Sequence, residues 1–191
     1  TVSTDYVFDG SGSTPWQVTD AVAPVNAYGR SKLAGEEATR AAAGTYAVLR
    51  CSWVVSCHGH NFVKTMLRLG AERESLTIIA DQVGAPTPAR DLARACLKMA
   101  SQLQEDPGKS GIYHLQGTPE VSWAGFAREI FAQAEVACAV TDIPTTDYPT
   151  PAARPLNSRL DCTALETVFG ISQPDWRQGL KDILKDLGEE A

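Results

Sequence analysis

Three observations predict an α/β fold with parallel strand pairing. Short apolar runs recur between turn-forming residues, stretches with helical spacing separate them, and no internal repeat interrupts the alternation. Strands and helices taken in turn favour parallel pairing, because a parallel connection needs a crossover element between its strands. Thr1-Val2-Ser3 reads as a strand end, and 4–19 as a loop rich in Gly, Ser, Asp and Pro. Pro24 and Asn26 then open a helix running to about Ala43, filled with the helix formers Ala, Leu and Glu. Tyr46-Ala47-Val48-Leu49-Arg50 is a short apolar strand that can run on through Trp53-Val54-Val55. The spacing of Phe62, Met66 and Leu69 predicts a helix over 61–73, with Asn61 as its N-cap. Residues 76–80 form a buried strand, about 89–104 a helix and 111–115 a strand, and Ser122 caps a helix from Trp123 to about Glu135. The Pro-rich stretch 144–155 reads as an ordered loop, and two short helices follow near 161–169 and 175–187.

Composition narrows the class. Apolar residues make up 43% and charged residues 21%, as in a soluble globular chain. The net charge is −6, and the basic residues form no stripe, which argues against a nucleic-acid or acidic-membrane partner. Five cysteines, odd in number and without Cys-x-x-Cys spacing, fit reduced thiols in a cytoplasmic protein. Cys57-His58-Gly59-His60 crowds its ligands into one turn with no distant set, so no metal site is expected there. No apolar run approaches the ~18 residues of a membrane span, and no signal-peptide pattern opens the chain. The start at Thr-Val-Ser-Thr-Asp, without Met, is what the later part of a longer protein would show.

The chemistry begins with Tyr28 and Lys32. Residues i and i+4 of a helix share one face, so the phenol and the ammonium point into the same space. An ammonium there favours the phenolate, and the Tyr28 pKa is expected to fall from its usual value near ~10. The plain alternative is an exposed helix with a solvated Lys and a half-buried Tyr. Ser3-Thr4-Asp5-Tyr6-Val7-Phe8-Asp9-Gly10 places hydroxyls and a carboxylate at the carboxyl end of a strand, where open α/β sheets bind ligands. Its alternative is a cap in which Thr4 and Asp5 satisfy backbone donors. The Gly-rich strand–helix turn that cradles a dinucleotide pyrophosphate is missing from the 15 glycines of this chain.

Thr4 ahead of Tyr28-x-x-x-Lys32 matches the extended short-chain dehydrogenase/reductase pattern. Within it the chain resembles the dTDP-4-dehydrorhamnose reductase family, through the Ser3 to Gly10 run, Asn26-Ala27-Tyr28-Gly29-Arg30-Ser31-Lys32-Leu33-Ala34-Gly35-Glu36 and Arg50-Cys51-Ser52-Trp53-Val54. Asn61-Phe62-Val63-Lys64-Thr65-Met66-Leu67-Arg68-Leu69, Asp81-Gln82-Val83-Gly84-Ala85-Pro86-Thr87 and Arg154-Pro155-Leu156-Asn157-Ser158-Arg159-Leu160 extend it along the whole chain. The resemblance implies the carboxyl-terminal part of a Rossmann-like doubly wound parallel sheet plus a small α/β substrate-binding lobe. Residues 1–60 would carry the catalytic Thr/Tyr/Lys, and 61–191 the remaining sheet elements and the lobe. An amino-terminal nucleotide-binding segment of the family would lie before Thr1.

The implied reaction is reduction of the 4-keto group of dTDP-4-dehydro-6-deoxy-L-mannose to dTDP-L-rhamnose with NADPH or NADH. By resemblance, Tyr28 donates the proton, Thr4 hydrogen-bonds the same sugar oxygen, and Lys32 stabilises the tyrosinate and holds the nicotinamide ribose. Thr4, Tyr6, Trp53, Asn61, Phe62, Gln82 and Arg154 would bind the dTDP-sugar. Trp53 would be an aromatic wall or a core Trp, Asn61 a diphosphate site or a plain cap, and Gln82 a substrate contact or turn chemistry. Arg154 and Arg159 are the candidate diphosphate partners, Arg154 preferred, since guanidinium forks match phosphate oxygens. His114 in its apolar strand reads as structural. A homodimer fits the resemblance, but Arg90 stands where some members place an acidic Mg²⁺ ligand at a dimer contact, so Mg²⁺ is not expected. The chain alone, without a phosphate cradle, is expected to be inactive. The competing readings are a non-catalytic regulatory or binding subunit on the same fold, and a related sugar-nucleotide epimerase.

Overall fold

The computed structural model describes residues 1–42 and 44–189. The expected helix end at Ala43 lies outside them. Strand β1 (Val2–Thr4) leads through a long loop to α1 (Ala27–Ala41), then β2 (Ala47–Cys51) and β3 (Val54–Val55). Helix α2 (Phe62–Glu72), β4 (Ser75–Ile79), β5 (Val83–Gly84), β6 (Thr87–Pro88) and α3 (Ala89–Glu105) follow. The rest of the chain forms β7 (Gly111–Leu115), β8 (Val121–Ser122), α4 (Trp123–Gln133), β9 (Ala139–Ile143), α5 (Thr163–Phe169) and α6 (Trp176–Glu189).

The parallel pairing expected from the alternation is present. β1, β2 and β7 form a parallel sheet in that order, with Ser3 opposite Arg50 and Arg50 opposite His114. Because strand side chains alternate faces, those three polar residues form a row on one face. The other face carries Leu49, Cys51, Tyr113 and Leu115, packed beneath α3 and α5 by Leu92, Met99, Leu165 and Phe169. α1 covers the polar row and supplies its counter-charge. Arg50 Nε and Nη2 donate to the two Glu36 carboxylate oxygens at 2.9 and 2.7 Å, and Ser3 Oγ donates to Glu36 Oε1 at 2.5 Å. This ion pair is 3% and 2% exposed, so it fixes the rotation of α1 over the sheet by charge that neither side can leave uncompensated.

A second core is built from Val63, Met66, Phe126, Ile130, Phe131, Trp176 and Leu180 on α2, α4 and α6, resting on β4. β4 pairs in parallel with β9, a strand whose mixed Ala139-Val140-Thr141-Asp142-Ile143 pattern carries no clear apolar alternation. The expected run from residue 46 through Val55 is two strands rather than one. It breaks at Ser52-Trp53, where Trp53 takes a φ of 47°. That left-handed conformation cannot continue a strand, and it redirects β3 to pair with β6 instead of β7. The cap expectations are met: Asn26 Oδ1 accepts from Gly29 N at 2.8 Å, Asn61 Oδ1 from Lys64 N at 3.4 Å and Ser122 Oγ from Gly125 N at 3.1 Å. α4 stops at Gln133, two residues before the expected end, and Glu135 has a φ of 53°.

Candidate active site

The carboxyl ends of β1 and β2, the start of α1 and the segment around Arg154 enclose a cleft of about 620 Å³. Thr4, Tyr6, Tyr28, Lys32, Trp53 and Arg154 all line it, with Asp5, Cys51 and Trp123 beside them. Residues separated by up to 150 positions therefore meet where a parallel sheet presents its strand ends.

Each side chain is placed by an identifiable local cause. Asn26 caps α1, so Tyr28 and Lys32 fall in its first turns, on the side facing β1. Lys32 Nζ donates to the Val2 carbonyl at 2.6 Å. Gly29 lets the helix start close against the loop after β1, since a Cβ there would lie 2.1 Å from the Tyr6 carbonyl oxygen. Tyr6 meets Tyr28 edge to face, with centroids 5.6 Å apart. Asn26 Nδ2 donates to the Ala153 carbonyl at 2.9 Å, which ties the segment carrying Arg154 to the helix cap. The strand break turns Trp53 onto Trp123, whose rings stack at 3.7 Å and 16°. A left-handed Trp costs of order 1–3 kcal/mol and persists only where its surroundings fix it; here the stack and the close approach of Gly84 do so.

The electrostatics differ from the expectation in one respect. Tyr28 is raised above the usual phenol range rather than lowered. Partial burial in the cleft is the main cause, although the residue stays 54% exposed; the Thr4 hydroxyl beside it pulls the other way, and Cys51 and Asp5 push it up further. Lys32 does not reverse this, because its ammonium is turned to the Val2 carbonyl. A neutral phenol is the form that can give up a proton. Tyr6 is raised as well, first by burial. Asp5 is 1% exposed, and burial pushes its carboxyl up to about 6, with the Ser158 and Thr4 hydroxyls pulling part of the way back. Thr4 Oγ1 donates to Asp5 Oδ1 at 3.1 Å and accepts from the Tyr6 N–H at 3.2 Å.

Asn61, Phe62 and Gln82 lie outside the cleft lining. Asn61 holds α2, with Nδ2 donating to the Ser56 carbonyl at 2.7 Å. Phe62 sits behind Trp123, ring centroids 4.6 Å apart. Gln82 is buried and donates to Thr145 Oγ1 at 3.1 Å. Arg159 is engaged with Glu120 at 2.6 Å and Asn157 at 3.1 Å, whereas Arg154 forms no ion pair among the described residues. His114 is fully buried, its Nδ1 3.1 Å from the Trp16 carbonyl, and burial followed by the Arg50 charge lowers its pKa to about 4. Arg90 pairs with Asp186 at 2.8 Å, and among the described residues no three His, Cys, Asp or Glu side chains converge as metal ligands do. The five cysteines are all unpaired. No helix among the described residues is long and apolar enough to cross a membrane. Sequence reasoning placed the Asp5 carboxylate at the strand end without giving it a role, and missed Trp123 as a cleft residue, which nothing local marks.

A Thr, a Tyr and a Lys at the strand ends with an aromatic wall form the arrangement expected of the resemblance, and the RmlD substrate-binding domain model matches residues 1–189. The chain belongs to this family. It is 44% identical to the dTDP-4-dehydrorhamnose reductase of Shigella flexneri, over 97% of this chain and 64% of that protein. Its structure resembles the dTDP-4-dehydrorhamnose reductase of Clostridium acetobutylicum with a TM-score of 0.90 at 37% identity, covering 98% of this chain and 65% of that one. It also resembles the Bacillus anthracis dTDP-4-dehydrorhamnose reductase solved in complex with NADP, with a TM-score of 0.87 at 36% identity over 97% and 64% of the two chains. The chain thus spans about 64% of the length of that curated relative. Its α/β architecture, parallel except where β5 pairs antiparallel with β8, is that of these two reductases.

Proposed function

We propose that the protein carrying this RmlD substrate-binding domain reduces the 4-keto group of dTDP-4-dehydro-6-deoxy-L-mannose to dTDP-L-rhamnose, using NADPH or NADH. The observation that carries this reading is the convergence of Thr4, Tyr28 and Lys32 in one cleft, walled by stacked Trp53 and Trp123 and edged by Arg154. A reduced nicotinamide, when bound, supplies the hydride. The fit of this chain to that group rests on Tyr28 and Lys32, whose phenol and ammonium line the cleft beside β1, where ribose hydroxyls can be held.

As hydride reaches C4, negative charge grows on the sugar oxygen. Tyr28, a neutral phenol, gives its proton to that oxygen, and Thr4 sits beside the same phenol. A donor aimed at such an oxygen contributes about 3 kcal/mol to the transition state. Lys32, one turn along the helix, leaves the Val2 carbonyl to pair with the phenolate that results. Trp53 and Trp123 offer a flat apolar face to the nucleotide base. Arg154, outside any ion pair among the described residues, is the guanidinium placed to meet the diphosphate.

The test is turnover of the keto-sugar nucleotide by the whole protein, followed as NADPH absorbance. Tyr28→Phe should lower kcat by at least a hundredfold while the protein still binds NADPH. Wild-type turnover in Tyr28→Phe would exclude Tyr28 as the proton donor.

A further inference from the structure

Thr4 carries one hydrogen and two acceptor lone pairs, as any hydroxyl does. In the structure the hydrogen goes to Asp5 Oδ1 and one lone pair receives the Tyr6 N–H. While Asp5 is an anion it can only accept, so the Thr4 hydrogen points away from the cleft. Thr4 then cannot donate to a substrate oxygen, which is the role the reduction requires of it. A proton on Asp5 reverses the bond. The carboxyl then donates to Thr4 Oγ1, both lone pairs are filled, and the Thr4 hydrogen is released toward Tyr28 and the sugar. Asp5 is 1% exposed in the cleft wall, and the Ser158 hydroxyl is the other group that acts on its carboxyl.

We propose that Asp5 is a positioning residue whose proton, exchanged with water before the sugar is held, decides whether the Thr4 hydroxyl donates to Asp5 or into the cleft. The proposal rests on the reductase reading above. Around Asp5 stand Tyr28 from α1, Cys51 from β2, Tyr6 on its own segment and the Ser158 hydroxyl; Lys32 and Arg154 are the basic side chains of the same cleft. Tyr28 and Tyr6 are both raised, and the Cys51 thiol is pushed up to about 12 by burial, so none of the three titrates near neutrality. The Asp5 carboxyl, raised to about 6, is the one that does.

Two measurements test it. Carbon-13 NMR of the Asp5 carboxyl in this chain, assigned by its loss in Asp5→Asn, should titrate near pH 6. Thr4→Val should move that midpoint upward, because the carboxylate loses a donor. A midpoint in the ordinary carboxylate range, or one that Thr4→Val leaves in place, overturns the coupling whether or not the protein reduces a sugar. In the whole protein, kcat for keto-sugar reduction should fall by about tenfold per pH unit above the Asp5 midpoint, toward a floor about a hundredfold lower. The Asp5→Asn profile should be flat there, since an amide N–H replaces the acid proton toward Thr4. An active wild type with a flat profile also overturns the proposal. Absence of sugar reduction at every pH refutes the proposed function instead, and the Thr4–Asp5 coupling is then decided by the titration.

Discussion

Gly29→Ala should damage catalysis far more than folding. The added Cβ would sit 2.1 Å from the Tyr6 carbonyl oxygen and 2.9 Å from Pro24 Cβ, where ordinary contact begins at 3.4 Å. The first obstacle is backbone and cannot swing aside, so the start of α1 must withdraw by 3.4 − 2.1 = 1.3 Å. Tyr28 is the adjacent residue and moves with it. A misplacement of about 1 Å in a reacting group costs on the order of a hundredfold in rate. The stability change is smaller because two effects oppose. Overpacking costs about 1–3 kcal/mol, and Ala gains back about 1 kcal/mol over Gly in a helix. A net loss of about 0–2 kcal/mol corresponds to a melting temperature lower by roughly 8 °C at most in a chain of this size. The assay pairs kcat of the whole protein with its thermal unfolding. A kcat within twofold of wild type would show that the close approach of α1 to the Tyr6 carbonyl does not set the position of Tyr28.

Glu36→Gln leaves the Arg50 guanidinium buried against a neutral partner and should cost about 3–5 kcal/mol by chemical denaturation, whereas replacing both residues by apolar ones of similar volume should cost little; equal losses in the two variants would refute the charge argument. Trp123→Ala removes the ring stacked on Trp53, a contact worth about 1 kcal/mol beyond its area, and should raise KM for the sugar nucleotide by up to about tenfold with kcat nearly unchanged; an unchanged KM would remove Trp123 from the binding wall. His114 is held near 4 against 6.5 when unfolded, so its contribution is present above pH 6.5 and is lost as pH falls through 4, about 3 kcal/mol in all. Asp5 works in the opposite sense, since its raised carboxyl favours the fold below its unfolded value of 3.8 and loses about 3 kcal/mol as pH rises through 6. The two offset between about pH 4 and 6, so stability should rise with pH there in Asp5→Asn and fall in His114→Asn; parallel slopes in the two variants would refute both assignments.

The parts of this fold that were legible in the sequence are those governed by local rules. Asn26, Asn61 and Ser122 announce helix starts because a short polar side chain can reach the free N–H groups of a first turn. β7 was readable to the residue because Gly111 to Leu115 is apolar and bounded by turns. β9 was not, since Ala139 to Ile143 is half exposed and becomes a strand only because β4 supplies its partner. The break at Trp53 was equally hidden. Trp in β-branched company reads as strand, and the left-handed φ is imposed by stacking on a residue 70 positions away. The Thr4, Tyr28 and Lys32 positions could be proposed from the family resemblance their spacing supports, but the sign of the Tyr28 shift could not. It depends on where the Lys32 ammonium turns, and the Val2 carbonyl that attracts it is a tertiary contact.

The cleft is held by two kinds of constraint, and they act on different parts of the chemistry. α1 is fixed to the sheet at two points a helix turn or two apart. Gly29 sets how closely it approaches the loop after β1, and Glu36 sets its rotation by closing on Arg50 and Ser3. Tyr28 and Lys32 lie at or between those points, so the proposed proton donor and its neighbour are positioned by backbone contact and buried charge, neither of which adjusts without a large cost. Arg154 is attached differently. Its segment is tied to the cleft through Asn26, whose Oδ1 caps α1 while its Nδ2 holds the Ala153 carbonyl. Beyond Arg154, the Val83 N–H donates to the Leu156 carbonyl at 2.8 Å and the Asn157 N–H to the Gly10 carbonyl at 3.0 Å, and Gly10 packs closely on Pro155. The geometry therefore holds both the proposed proton donor and the backbone around Arg154, and leaves the exposed Arg154 side chain as the part that can move. That is the arrangement a site needs if it must keep its reacting groups fixed while admitting and releasing a large charged nucleotide.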